Sequence, residues 1–278
     1  SSRFGANNRF ATFPSLSGGW VLSQESFLKS TTWFSFLKIR YGWGKTGNQE
    51  IDNYASYGMY QARYGDNDSP VTNGTAYDLY GIDEGNLPSG YRRLQLSNPD
   101  LKWEATTQNN IGLDYAFLGS KLSGTFDYYI KRTSNILVKP PTLRATGYGA
   151  SSWINGANMK NSGWETTLAF NNSSGDFNYS ISASAYKNIN EFTYIIPEAV
   201  AAYPGNGNDQ TILGRPLNSY YGYVVDGIFQ NQAEVDNSAV QPGKGIGRLK
   251  YGDINNDGII DADDRDWIGV NEPELTLG

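Results

Sequence analysis

The sequence predicts an all-β protein: an antiparallel stretch of membrane β-barrel wall, about six to eight strands of a larger barrel, with long loops at one end. Three observations lead there. First, the hairpin 106–132 alternates strictly. Its first arm sets Ile111, Leu113, Tyr115 and Phe117 against Gln108, Asn110, Gly112, Asp114 and Ala116. Its second arm sets Leu122, Gly124, Phe126, Tyr128 and Ile130 against Lys121, Ser123, Thr125, Asp127, Tyr129 and Lys131. Period-two patterning marks strands with one greasy and one wet face, and arms of about 11 residues suit a tilted strand crossing a bilayer. Second, the connections alternate short and long along the chain, as in outer-membrane barrels with tight periplasmic turns and long extracellular loops. Third, 278 residues with 32 Gly, 20 Tyr and 7 Trp favour β structure. No apolar run is long enough for a spanning helix, and a barrel's signal is spread too thinly to need one.

In chain order, a strand is expected over about 10–22, where Leu16, Gly18, Trp20 and Leu22 oppose Ser15, Ser17, Gly19 and Val21. Pro14 sits near its start, where a missing donor is tolerated. A polar turn covers 23–30. The next strand faces Leu37, Ile39, Tyr41 and Trp43 one way and Phe36, Lys38, Arg40, Gly42 and Gly44 the other. Two cations on one face are awkward in a packed core and easy to place in a wet lumen. Residues 47–104 read as a long irregular loop of the kind that marks function or disorder.

The central hairpin follows, closed by Leu118, Gly119 and Ser120, and then an irregular stretch over 133–161 containing Pro140 and Pro141. A second hairpin carries Trp164, Thr166, Leu168 and Phe170 up one arm, an NNSSGD turn, and Phe177, Tyr179, Ile181, Ala183 and Ala185 along the other. The remainder, about 189–272, is polar, with a YYGYVVDGIF run suited to a strand at 220–229. Trp20, Trp43, Tyr115, Phe117, Tyr128, Trp164 and Phe177 fall near strand ends on the apolar face, as in a barrel's aromatic girdles. Cross-strand packing in a soluble sheet would give the same pattern.

Composition removes several functions. The chain has no His and no Cys, which excludes Ser-His-Asp and Cys-His chemistry, disulfides, and His- or thiolate-bound metals. A formal charge of −6 without a basic stretch argues against nucleic acid. Asp66 with Asp68, Asp83 with Glu84, and Glu272 with Glu274 are close acid pairs, but loop-like settings make them solvated turns rather than glycosidase carboxylates. The GKGIG stretch at 243–247 lacks the preceding strand and following helix of a dinucleotide fingerprint. No enzyme is expected. With no initiator Met or signal peptide at Ser1 and a strand expected to start at 273–278, the chain reads as a segment of a longer protein, one partial barrel domain over 1–278.

One motif carries chemistry. In YGDINNDGIIDADDRDW, Asp253, Asn255, Asp257, Gly258, the Ile259 carbonyl, Asp261 and Asp264 take positions 1, 3, 5, 6, 7, 9 and 12 of a calcium loop. Side chains two apart in a tight loop converge, Gly supplies the turn, and an acid at position 12 closes the shell. Asp stands there in place of Glu, so the loop must approach closer. The expectation is a structural Ca²⁺ that shapes an extracellular loop, with Asp253, Asn255, Asp257, Ile259, Asp261 and Asp264 as ligands. An alternative from another class is a secreted, calcium-stabilised β-sandwich that binds carbohydrate.

The blocks RFGANNRFATFPSLSGGWVLS, LKIRYGWGKTGNQEIDNY, NPDLKWEATTQNNIGLDYAFL, NGANMKNSGWETTLAFNN, YYGYVVDGIFQN and GRLKYGDINNDGIIDADDRDWIG closely resemble, in order, barrel segments of SusC/RagA-type TonB-dependent transporters. The resemblance implies a 22-stranded outer-membrane barrel with a plugged lumen, importing oligosaccharides or peptides in Bacteroidota-like bacteria. It further implies a SusD-like surface lipoprotein as lid, energy from TonB–ExbB–ExbD, and outer-membrane lipid around the wall. No plug domain, TonB-contacting segment or final barrel strand is recognisable in the chain. In the loops, Tyr54, Tyr57, Tyr60 and Tyr64 are candidates for stacking on sugar rings.

Overall fold

The structure, a computed structural model, describes residues 3–62, 91–140, 152–197 and 212–278. Its frame is one seven-stranded sheet in the order β1 (Ser15–Val21), β2 (Phe34–Asn48), β5 (Glu104–Phe117), β6 (Leu122–Val138), β7 (Ile154–Ser174), β8 (Phe177–Ile195) and β13 (Thr276–Leu277). Every pairing is antiparallel. Three small two-stranded sheets lie in the connections: β3 (Met59–Ala62) with β4 (Tyr91–Gln95), β9 (Ser219–Tyr223) with β12 (Arg265–Val270), and β10 (Val225–Ile228) with β11 (Leu249–Tyr251). A short helix, α1 (Gln232–Asn237), is capped by Asn231, whose side chain accepts from Glu234 N.

The connections sort by end. β5 and β6 are joined through Leu118, Gly119 and Ser120, all at positive φ, and β7 and β8 through Gly175 (φ +62°) and Asp176. The link between β1 and β2 lies at this same end, since Val21 pairs with Lys38. All the long connections leave from the opposite end.

Cross-strand register explains why each strand shows two faces, because directly opposed residues of an antiparallel pair project to the same side. One row runs Trp20, Ile39, Leu113, Phe126, and the next runs Tyr41, Ile111, Tyr128, Trp164. This apolar face stays open: Ile111 is 53% exposed and Ile181 65%. A soluble sandwich would need a second sheet about 10 Å above it, and none lies there among the described residues. An uncovered face this large fits lipid, not water. Lys187, opposite Trp164, interrupts it. No helix among the described residues is long and apolar enough to cross a membrane, which says nothing of a barrel.

Several expected boundaries shift, each for a physical reason. β1 spans 15–21 rather than 10–22, because the chain before it turns into a loop platform. β6 continues to Val138 and β7 starts at Ile154, so 133–138 and 154–161 of the expected irregular stretch 133–161 are strand. Those extensions stand beyond the apolar band and carry no alternating grease. The second hairpin's turn is two residues, shorter than NNSSGD. The expected loop 47–104 contains the β3–β4 hairpin, and the 220–229 run divides into β9 and β10, which take different partners. Tyr64, Asp66, Asp68, Asp83 and Glu84 lie outside the described residues.

Buried apolar side chains collect at the long-loop end. Phe4, Ile51, Ala55 and Leu101 form a small cluster packed by Trp103, Leu137 and Trp153. Phe4 and Phe13 contact the Trp103 ring at centroid distances of 5.1 and 5.3 Å. Gln95 Nε2 donates to the carbonyls of Tyr54, Ala55 and Tyr57, Asn98 Nδ2 to Trp153 O, and Asn155 Nδ2 to Lys102 O and Asn135 O. Arg3 donates to Ile51 O, and Trp103 Nε1 to Asn8 O at 3.0 Å. Asp52 takes the Lys139 ammonium and the Trp153 indole N–H at 2.9 Å, and both hydrogen bonds hold its carboxyl below the ordinary carboxylate pKa.

Candidate functional site

The polar face of the sheet carries a charge cluster. Arg40 Nε donates to Asp114 Oδ1 and Oδ2 at 2.9 and 3.0 Å, and its Nη2 reaches Asp127 Oδ2 at 2.8 Å. Gly112, directly opposite Arg40 in the register, makes this possible: a Cβ there would sit 2.6 Å from the guanidinium and from Asp127 Oδ1. Asp127 is buried, and its Oδ1 has no hydrogen-bond partner among the described residues. Two carboxylates held by one guanidinium form a rigid, hydrated-side brace across β2, β5 and β6. The sequence places Lys38, Arg40, Asp114, Asp127 and Lys131 on this face, as expected. The bracing itself needs cross-strand register, and Gly112 facing Arg40 is the only sequence signal for it.

At the long-loop end, Tyr54, Tyr57 and Tyr60 are exposed. Tyr54 and Tyr57 meet edge to face at 6.2 Å, and Arg93 lies over the Tyr60 ring at 5.6 Å. They form an accessible aromatic surface beside the loop platform.

The acidic loop lies between β11 and β12, within the segment 219–270. Phe229, Val235 and Ile260 are buried there. Lys244 Nζ donates to the carbonyls of Val235 and Ser238 behind α1, and Val240 pairs with Gly258 and Ile260 through N···O distances of 2.8 Å. Arg215 covers the Trp267 ring at 4.8 Å and Arg265 the Tyr221 ring at 5.9 Å. Burial raises the Tyr221 pKa.

Within the loop the predicted ligand oxygens mostly face backbone amides. Asp253 Oδ1 and Oδ2 accept from Asp257 N and Gly258 N, Asn255 Oδ1 from Asp257 N, and Asp257 Oδ1 from Ile259 N. Asp261 Oδ1 accepts from Asp263 N. Asp264 is fully buried and latches the loop shut, with Oδ1 accepting from Ile254 N and Oδ2 from Asp261 N, both at 2.8 Å. The Asp261 N–H bond is the chief cause of its lowered pKa, against opposing desolvation. Asn256 (φ +60°) and Gly258 (φ +85°) supply the tight turn. The oxygen-rich donor set suits a hard cation. In this conformation, among the described residues, no three acidic side chains converge as a cation-holding group.

Of the remaining acid pairs, Glu272 accepts from Asn190 Nδ2 and stands in a structural contact.

A family model described as TonB dependent receptor-like, beta-barrel matches residues 1–258. TonB-dependent receptor P26 of Formosa agariphila is 31% identical over all of this chain and 27% of its own length. TonB-dependent receptor SusC of Bacteroides thetaiotaomicron is 32% identical over 95% of this chain and 25% of its own length. Among solved structures, the RagAB peptide importer in its closed-closed state superposes with a TM-score of 0.72 at 26% identity, over 99% of this chain and 28% of that one. The chain thus spans about a quarter of the length of the relatives it matches. With seven antiparallel strands, one open apolar face and all short turns at one end, it belongs to the TonB-dependent receptor β-barrel family of outer-membrane proteins, and within that family to the SusC type.

Proposed function

We propose that this chain supplies wall and outer loops to a TonB-dependent importer of oligosaccharides or peptides in the outer membrane. The observation that carries the reading is the two-faced sheet, whose short turns share one end and whose loops share the other. The similarity to SusC and to the RagAB peptide importer supports it. In this reading the apolar face meets lipid, and the face bearing Arg40, Asp114 and Asp127 lines the lumen. The loops with Tyr54 and Tyr57 meet substrate and a SusD-like lipoprotein lid, and TonB–ExbB–ExbD drives transport through the plug of the longer protein. The wall's own contribution is passive. It holds the loops at fixed spacing, keeps a hydrated inner surface, and performs no bond chemistry. The test is growth and uptake in a deletion strain complemented with the full-length gene. Loss of growth on a defined oligosaccharide or peptide, restored only when TonB is present, supports the reading. Unimpaired uptake of both classes without the gene refutes it.

The acidic loop at 253–264 belongs to the same proposal as a structural Ca²⁺ site. Asp253, Asn255, Asp257, Asp261 and the Ile259 carbonyl would hold the ion after turning from the backbone amides, and Asp264 would stay as the latch. Ca²⁺ supplies a fixed charge that holds such a loop in shape. The full-length protein should melt higher in Ca²⁺ than in chelator, and Asp257→Ala should remove that difference. A wild-type protein indifferent to Ca²⁺ ends the proposal.

A further inference from the structure

The outward face changes character at one row. Along β6 its outward positions run Leu122, Gly124, Phe126, Tyr128 and Ile130, and the next is Arg132. The register carries that level across five strands as Lys45, Thr107, Arg132, Lys160 and Glu191. These residues share the face of Tyr41, Ile111, Tyr128 and Trp164, four positions away along uninterrupted pairing. The row lies at the long-loop end, where the apolar band stops. Lys160 is paired with Glu191 at 3.0 Å. Arg132 is exposed, directly opposes Lys160, and has no ion pair among the described residues; neither has Lys45.

Like charges set directly opposite each other destabilise a sheet. Cations on a lipid-facing surface cost little only near the interface. A bound anion at that level removes both costs, and the anion available where apolar band meets headgroup is a lipid phosphate. We propose that Lys45, Arg132 and Lys160 form an outward-facing seat for a phosphate-bearing lipid headgroup of the outer leaflet. Arg132 is central because its guanidinium can take two phosphate oxygens at once, while the stems of Lys45 and Lys160 extend along the apolar surface below. The inference rests on the barrel reading and on long loops marking the outer side.

The test is native mass spectrometry of the full-length protein in non-ionic detergent, titrated with monophosphoryl lipid A and with the same lipid after enzymatic dephosphorylation. Wild type should retain the phosphorylated form at least tenfold better. Arg132→Gln and Lys45→Gln should each weaken its retention about fivefold, as expected for one basic side chain at an anionic membrane surface. Glu191→Gln, which frees Lys160, should strengthen it, an effect that damage to the fold cannot produce. Lys131→Gln, on the opposite face, should leave lipid retention unchanged. Equal retention of both lipids, an Arg132→Gln protein that binds like wild type, or a Glu191→Gln protein that binds more weakly would each overturn the proposal. Because the readout is lipid retention, failure here leaves the import reading standing. Loss of import in the deletion strain is judged separately.

Discussion

Replacing Arg40 by Met should destabilise the barrel wall by about 2–3 kcal/mol. Removing one partner from a buried ion pair costs about 3–5 kcal/mol because it strands a desolvated charge, whereas an exposed pair contributes about 0–1 kcal/mol. Arg40 lies between these limits: its side chain is 34% exposed, that of Asp114 23% and that of Asp127 12%. Its loss leaves two carboxylates facing each other, the more deeply buried of them already with one unpartnered oxygen. The triple change Arg40→Met, Asp114→Asn, Asp127→Asn removes the charges together and should cost only about 0–1 kcal/mol, since neutralised polar groups are cheaper to bury than a stranded carboxylate. Urea unfolding of the full-length protein in phospholipid vesicles, followed by tryptophan fluorescence, gives both values. An Arg40→Met cost below about 0.5 kcal/mol, or a triple variant as unstable as the single, would show that Arg40 is a solvated bystander.

Face assignment gives a second expectation: Ile111→Arg should cost about 2–4 kcal/mol in the bilayer, and Asn110→Arg, one residue away on the wet face, much less; equal costs in the same unfolding assay would contradict the register. Gly163→Ala should destabilise by about 1–3 kcal/mol, because its Cβ would lie 2.3 Å from the Lys187 carbonyl and 2.7 Å from the Tyr129 hydroxyl, with a shift in urea midpoint as the check. The lowered pKa of Asp264 has a definite sign: its latch contributes stability above the ordinary carboxylate value near 4 and loses it as pH falls through the lower folded value. The protection of the Ile254 and Asp261 amides against hydrogen exchange, relative to their intrinsic rates, should therefore fall only in acid, and Asp264→Asn, with one acceptor oxygen for two donors, should expose one of them already at neutral pH. Protection unchanged in that variant would remove the latch.

Strands that cross lipid were legible because one solvent is greasy and the other is not. Ile111, Leu113, Phe126 and Tyr128 had to alternate with polar neighbours, and the structure keeps that alternation row by row. Beyond the band neither side of a strand meets lipid. The extensions through Thr133 and Ser134 and through Asn155 and Asn158 therefore lack period two, and they read as loop. The platform was illegible for another reason: Phe4, Ile51, Ala55 and Leu101 are scattered over nearly 100 positions, and only the fold brings them together. The acidic loop was recognised from spacing alone. Spacing cannot distinguish oxygens that converge on an ion from oxygens that close on the loop's own amides, as those of Asp264 do.

The platform has a mechanical consequence. Residues 3–8 enter from above and are bonded to the segments around 50 and 100. Those segments are tied in turn to Trp153 and Asn155 at the start of β7. The tops of β1, β2, β5, β6 and β7 are thereby cross-braced like the rim of a vessel, so a load applied to one loop base is shared by five strands.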